Sequence, residues 1–88
     1  MAKLDMMTES KIAGKGESQA DTYRVLGLMY ATGKGCDRNL VAAHKWLNIA
    51  AIKGCDKAAK LRADLASAMR KDELAEALRE AREWMTIH

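Results

Sequence analysis

Two histidines, two cysteines and the second of two Gly-Lys-Gly steps, at 33–35, are the residues in this chain whose types could support reactive chemistry. His44 stands in Ala43-His44-Lys45-Trp46 with no Asp or Glu within four residues to orient it as a general base. It reads as an ordinary, partly exposed helix residue. His88 is the last residue, where side chains rarely keep a fixed geometry. Cys36 and Cys55 flank a helical stretch of about 14 residues, which sets them about 20 Å apart at 1.5 Å per residue. A disulfide needs Cα atoms within about 7 Å, so both cysteines read as packing residues. Gly33-Lys34-Gly35 lacks the spacing of a phosphate loop and follows a helical stretch where such a loop follows a strand. The chain is therefore not expected to be an enzyme, nor to hold a cofactor or a metal.

What these residues sit on is helical throughout. Ala, Leu, Met, Lys, Arg and Glu dominate, and they lose least on entering a helix; proline is absent. A first, ragged stripe of Leu4, Met7, Ile12 and Ala13 predicts a helix over about 3–13, ended by Gly14-Lys15-Gly16. A second spans about 19–32. Ser18 caps it, Asp21 follows three residues on in the manner of a capping box, and Thr22, Val25, Leu26, Met29 and Tyr30 form its apolar face. Gly33 closes it. The third covers about 40–53, capped by Asn39 and stopped by Gly54, with Leu40, Ala43, Trp46, Leu47, Ala50 and Ala51 as its stripe. The fourth follows the cap candidate Asp56 and carries Ala58, Leu61, Leu65 and Met69. Arg70-Lys71-Asp72 interrupts the pattern, and a last helix over about 73–85 turns Leu74, Ala77, Leu78, Ala81 and Met85 inward, with Trp84 nearby. Such short connections make neighbouring helices antiparallel.

The bulk numbers agree with one folded unit. Eighty-eight residues, 49% apolar and 31% charged, suit a single domain whose small core must pack efficiently. The net charge is +3, positive in the middle and negative over 71–88. That is weaker than the dense basic patch of most nucleic-acid binders. The N-terminal residues carry acids where a signal peptide needs an apolar run, and no stretch approaches the ~20 apolar residues of a membrane span. A cytoplasmic location with no membrane attachment is the expectation.

One stretch is more specific. Leu26-Gly27-x-Met29-Tyr30-x-x-Gly33-x-Gly35-Cys36-x-x-Asn39-x-x-x-Ala43-x-x-Trp46-x-x-x-Ala50-Ala51-x-x-Gly54 resembles the Sel-1-like repeat, a relative of the tetratricopeptide repeat. Thr22, Cys36 and Asn39 stand where the family prefers Ala, Val and Asp. The resemblance implies an all-α fold, an α/α superhelix (solenoid) fragment of antiparallel helix pairs with about four to five helices. It divides a single domain, 1–88, into a degenerate N-terminal helix over 1–18, one full repeat over 19–54 and a C-terminal capping helix pair over 55–88. Gly27 would let the two helices of the repeat approach, and Tyr30 and Trp46 would fill the space between them.

The resemblance also implies where a partner would bind. In tetratricopeptide relatives the first helix of each pair lines a concave face. That register gives Asp21, Arg24 and Leu28, with Ala31 and Thr32; one repeat further it gives Lys57, Lys60 and Asp64, with Ser67 and Ala68. Arg24, Lys57 and Lys60 would form a basic lip suited to an acidic peptide. The expected function is a protein–protein interaction adaptor or scaffold that binds a peptide or helical segment of a partner. A self-associating structural repeat module, hence a homo-oligomer, is the first alternative; a small basic nucleic-acid-associated regulator is the second.

Overall fold

A stretch with no proline, capped by Ser, Asn and Gly at the right intervals, should fold as a series of short helices, and it does. A computed structural model describes residues 18–88, and among them are four helices and no strand. These are α1 (Gln19–Thr32), α2 (Leu40–Ile52), α3 (Asp56–Ala66) and α4 (Lys71–Ile87). The helix expected over about 3–13 lies outside the described residues.

Local chemistry sets most of the boundaries. The Ser18 hydroxyl accepts from the Asp21 N–H at 3.1 Å, satisfying one of the donors a helix start leaves unpaired. Asn39 does the same for Ala42, through Oδ1 at 3.0 Å. Gly33, at φ 79°, closes α1 in the left-handed conformation, and its N–H bonds back to the Met29 carbonyl at 2.8 Å.

Two starts differ from the sequence expectation. Asp56 is the first residue of α3 and not its cap; Cys55 occupies the cap position without a side-chain bond. Helix α4 begins at Lys71, two residues early, because the Glu73 carboxylate reaches back to accept from the Arg70 N–H at 2.9 Å. Arg70-Lys71-Asp72 is thus a helix start and not a break. The helix also runs on to Ile87.

Helix α2 is the element against which the other three pack. It buries Ala43, His44, Leu47, Asn48, Ile49 and Ala50, whereas α1 and α4 each bury two residues and α3 one. Helices α1 and α2 form an antiparallel hairpin. The Asn39 N–H donates to the Tyr30 carbonyl at the loop end, Gly27 meets Ala43 and Leu47, and Ala20 joins Ala50 in the core at the far end. That core continues through Cys55 and Ala58 into α3, with Tyr23, Ala51, Leu61 and Leu65 packed against it.

Three expectations about facing require correction. Thr22 and Val25 do not face the core: both are exposed, and α1 meets α2 through Ala20 and Gly27 instead. Trp46 does not pair with Tyr30; it stacks on Tyr23, with ring centroids 5.6 Å apart and planes 13° off parallel, and Trp84 from α4 meets both edge-on at 5.3 and 5.5 Å. Leu78, expected inward, is exposed.

Candidate partner-binding groove

Helices α1 and α3 lie side by side over α2, and two open cavities follow their seam. The first, of about 480 Å³, sits where both helices begin; Ser18, Ala20 and Asp21 line one wall and Lys53, Gly54, Cys55, Asp56 and Lys57 the other. The second, of about 260 Å³, lies further along both helices. Leu28 and Ala31 come from α1, Leu61, Asp64 and Leu65 from α3, Ala68 from just beyond it, and Leu47 of α2 forms the floor. Since both helices start at one cavity and pass the other, α1 and α3 run parallel. The second cavity is apolar apart from Asp64. Helices α1 and α3 are both held by α2 and do not close on each other, so the leucines between them stay half-buried.

The six residues singled out from sequence fall along this seam unevenly. Asp21 and Lys57 line the first cavity, and Leu28 and Asp64 line the second. Arg24 does not supply a free positive charge: its guanidinium faces Asp21, with Nε 3.7 Å from Oδ1, and that Nε is buried without a hydrogen-bond partner among the described residues. Lys60 is exposed on α3 and lines neither cavity. Of the remaining residues in the expected register, Ala31 and Ala68 line the second cavity, while Thr32 and Ser67 turn back onto the carbonyls of Leu28 and Asp64. Sequence reasoning missed Leu47, Leu61 and Leu65 as lining residues. Their stripe was visible, but an apolar stripe does not say whether anything covers it.

The candidate reactive groups stand elsewhere. His44 is 2% exposed, a correction to the partly exposed residue expected. Burial, and after it the charge of Arg62, hold its imidazole below the ordinary histidine range. Its Nδ1 has no hydrogen-bond partner among the described residues, and Arg62 itself donates to Asn48 Oδ1 at 2.6 Å. A buried imidazole beside a guanidinium is a poor base and a poor metal ligand. Cys36 is half-buried and Cys55 buried; both are free thiols, and the Cys55 Sγ lies 3.8 Å from Asp21 Oδ1. Among the described residues no group of three or more His, Cys, Asp or Glu is placed to hold a metal ion. No helix there is long and apolar enough to cross a membrane.

No family model, curated protein or solved structure matches this chain.

Proposed function

We propose that this chain is a protein-interaction adaptor that docks a helical or extended segment of a partner protein in the seam between α1 and α3. One observation carries the reading: an apolar trough of Leu28, Ala31, Leu61, Leu65 and Ala68 over the buried floor of Leu47, left open among the described residues by two parallel helices fixed to the same third helix. A few half-buried leucines with a charged rim are what an amphipathic helix anchors on when it lays its apolar face into a groove. The trough is short, so it suits two or three anchoring side chains and not a broad interface.

Charge refines the partner. Arg24 is already engaged by Asp21, so the positive charge along the seam falls to Lys57, at the first cavity, and to Lys60, exposed on α3 outside both cavities. A segment that sets apolar anchors in the trough and acids toward the start of α3, clear of Asp64, fits best. The resemblance to the Sel-1-like repeat supports the same reading, because it assigns α1 and α2 to one repeat unit and α3 to the start of the next. On that reading the cytoplasm is the setting, and the four helices are a fragment of an α/α solenoid.

A titration tests this. Fluorescently labelled amphipathic peptides, acid-rimmed and base-rimmed, would be added to the full chain and followed by anisotropy. Acid-rimmed peptides should saturate, and Leu65→Glu should abolish the signal while the circular dichroism stays that of the parent. Equal binding to the Leu65→Glu chain would refute the groove.

Self-association has its own supporting observation, a second apolar face on α1 at Val25 that no other described residue covers. Sedimentation over a wide concentration range separates the two readings, since an adaptor needs no second copy.

A further inference from the structure

The walls of the α1–α3 trough restrict the kind of segment that can enter it. Of the residues that line the trough only Asp64 is polar. The hydroxyls next to the lining residues Ala31 and Ala68 are already used: Thr32 Oγ1 donates to the Leu28 carbonyl at 2.8 Å, and Ser67 Oγ to the Asp64 carbonyl at 2.7 Å. An extended segment laid there would bring N–H and C=O groups that neither wall can pair, and a buried unpaired backbone group is costly. A helix brings none, because its backbone bonds are internal.

The seam also has a direction. Lys57, Leu61, Asp64, Leu65 and Ala68 follow one another at spacings of three, four and one, all on a single stripe of α3. Lys57 and Asp64 therefore stand two turns, about 10 Å, apart along it. Positive charge prevails around Lys57. Arg24, Lys53 and Lys57 stand there against Asp21 and Asp56. Helices α1 and α3 both begin at this cavity, which brings the positive ends of two helix dipoles to it. Cys55 caps α3 with no side-chain bond to its first N–H groups. At the other cavity the only charge among the lining residues is the Asp64 carboxylate. Arg38 is spent nearby on the Ala31 carbonyl, where it offsets the negative end of α1.

We infer, resting on the docking function proposed above, that the partner segment is a bipolar amphipathic helix running antiparallel to α1 and α3. Its apolar anchors fill the trough, an acid in its C-terminal turn lies over Lys57, and a base about two turns earlier lies over Asp64. The parallel direction would set three helix N-termini together; the antiparallel one lets the occupant's dipole oppose the other two.

The test uses an end-blocked amphipathic peptide with Lys in its first turn, Glu in its last and a nitroxide at its C-terminal residue. Binding to the full chain is followed by anisotropy, and the nitroxide's position by broadening of the chain's amide resonances. The peptide should saturate, broadening Ala20 and Lys57 and sparing Ala31 and Ala68. Lys57→Glu with Asp64→Lys, both at exposed positions, should lower its affinity about tenfold, and a peptide with its two charges exchanged should regain the loss on that chain. A proline at the peptide's centre should abolish binding.

Broadening at Ala31 and Ala68 instead would overturn the direction, unchanged affinity for the charge-reversed chain the charge order, and undiminished binding of the proline peptide the helical form. Each of these leaves the groove standing as a docking site. A chain that binds none of the peptides would remove the groove reading too, and if it also sediments as a dimer the trough belongs to a second copy.

Discussion

Gly27 and Leu47 approach so closely that no side chain fits between them. A Cβ at residue 27 would lie 2.8 Å from Leu47 Cγ and 3.2 Å from the Ala43 carbonyl oxygen. Leu47 is 1% exposed, so making room means repacking a core side chain. Glycine inside a helix costs about 1 kcal/mol against alanine, and here that cost is offset by the close approach of α1 to α2.

Gly27→Ala should therefore destabilise despite its better helix propensity. Forced overpacking typically costs 1–3 kcal/mol, so a net loss of about 1 kcal/mol is expected. In a domain of this size that lowers Tm by roughly 4–8 °C. Calorimetry checks it; a raised Tm would show that the hairpin can open at no cost.

The three rings of Tyr23, Trp46 and Trp84 tie α1, α2 and α4 together. Trp46→Ala should cost about 3 kcal/mol, somewhat below a fully buried aromatic because the ring is half-buried. A double-mutant cycle between Trp46 and Trp84, read from urea melts, should return a coupling of about 0.5–1.5 kcal/mol. Strictly additive losses would mean that the rings only share surface.

Acid should weaken the fold through His44. Its folded-state pKa lies below the ordinary 6.5, so the unfolded chain binds the proton first. Both states are neutral there above that value, and stability falls as pH drops from about 6.5 toward the lower folded pKa. His44→Gln should flatten this limb of the stability–pH curve. Arg62→Met should move the histidine titration upward, since it removes the neighbouring positive charge, at the expense of leaving Asn48 Oδ1 without its donor. Urea melts across this pH range check the first, and proton-detected titration of the His44 imidazole checks the second.

Binding should respond to the rim and the trough in different ways. Lys57→Glu with Lys60→Glu should slow association with an acidic peptide several-fold, the more so at low salt, and leave dissociation almost unchanged. Leu28→Ala and Leu65→Ala should instead speed dissociation. Stopped-flow kinetics separate the two; a common effect on both rates would mean the lysines sit inside the contact.

Much of the scaffold could be read directly because its punctuation is local. Ser18, Asn39 and Gly33 act on atoms within four residues of themselves, so their types suffice. Which way a helix faces is not local. Two stripes can be drawn on α1, one of large side chains through Val25 and Met29 and one of Ala20 and Gly27, and hydrophobicity favours the first. The tight hairpin selects the second, because close approach needs small residues. His44 looked like surface for a related reason: a polar type on α2 says nothing of the three helices that enclose it. The partner of Trp46 depended on hairpin register, which carries Tyr30 to the loop and leaves Tyr23 beside the indole. In the groove, the register borrowed from the repeat resemblance placed Leu28 and Asp64 at one cavity, yet it could not foresee that Asp21 would occupy Arg24.

The most direct test of the adaptor reading is site-specific photo-crosslinking in the native host. A photoreactive residue placed at Ala68, inside the trough, should yield one discrete adduct with another protein, lost on adding Leu65→Glu and absent when the probe sits at Leu78 on α4. Adducts of equal yield from both positions, or an adduct at Ala68 that survives Leu65→Glu, would contradict it.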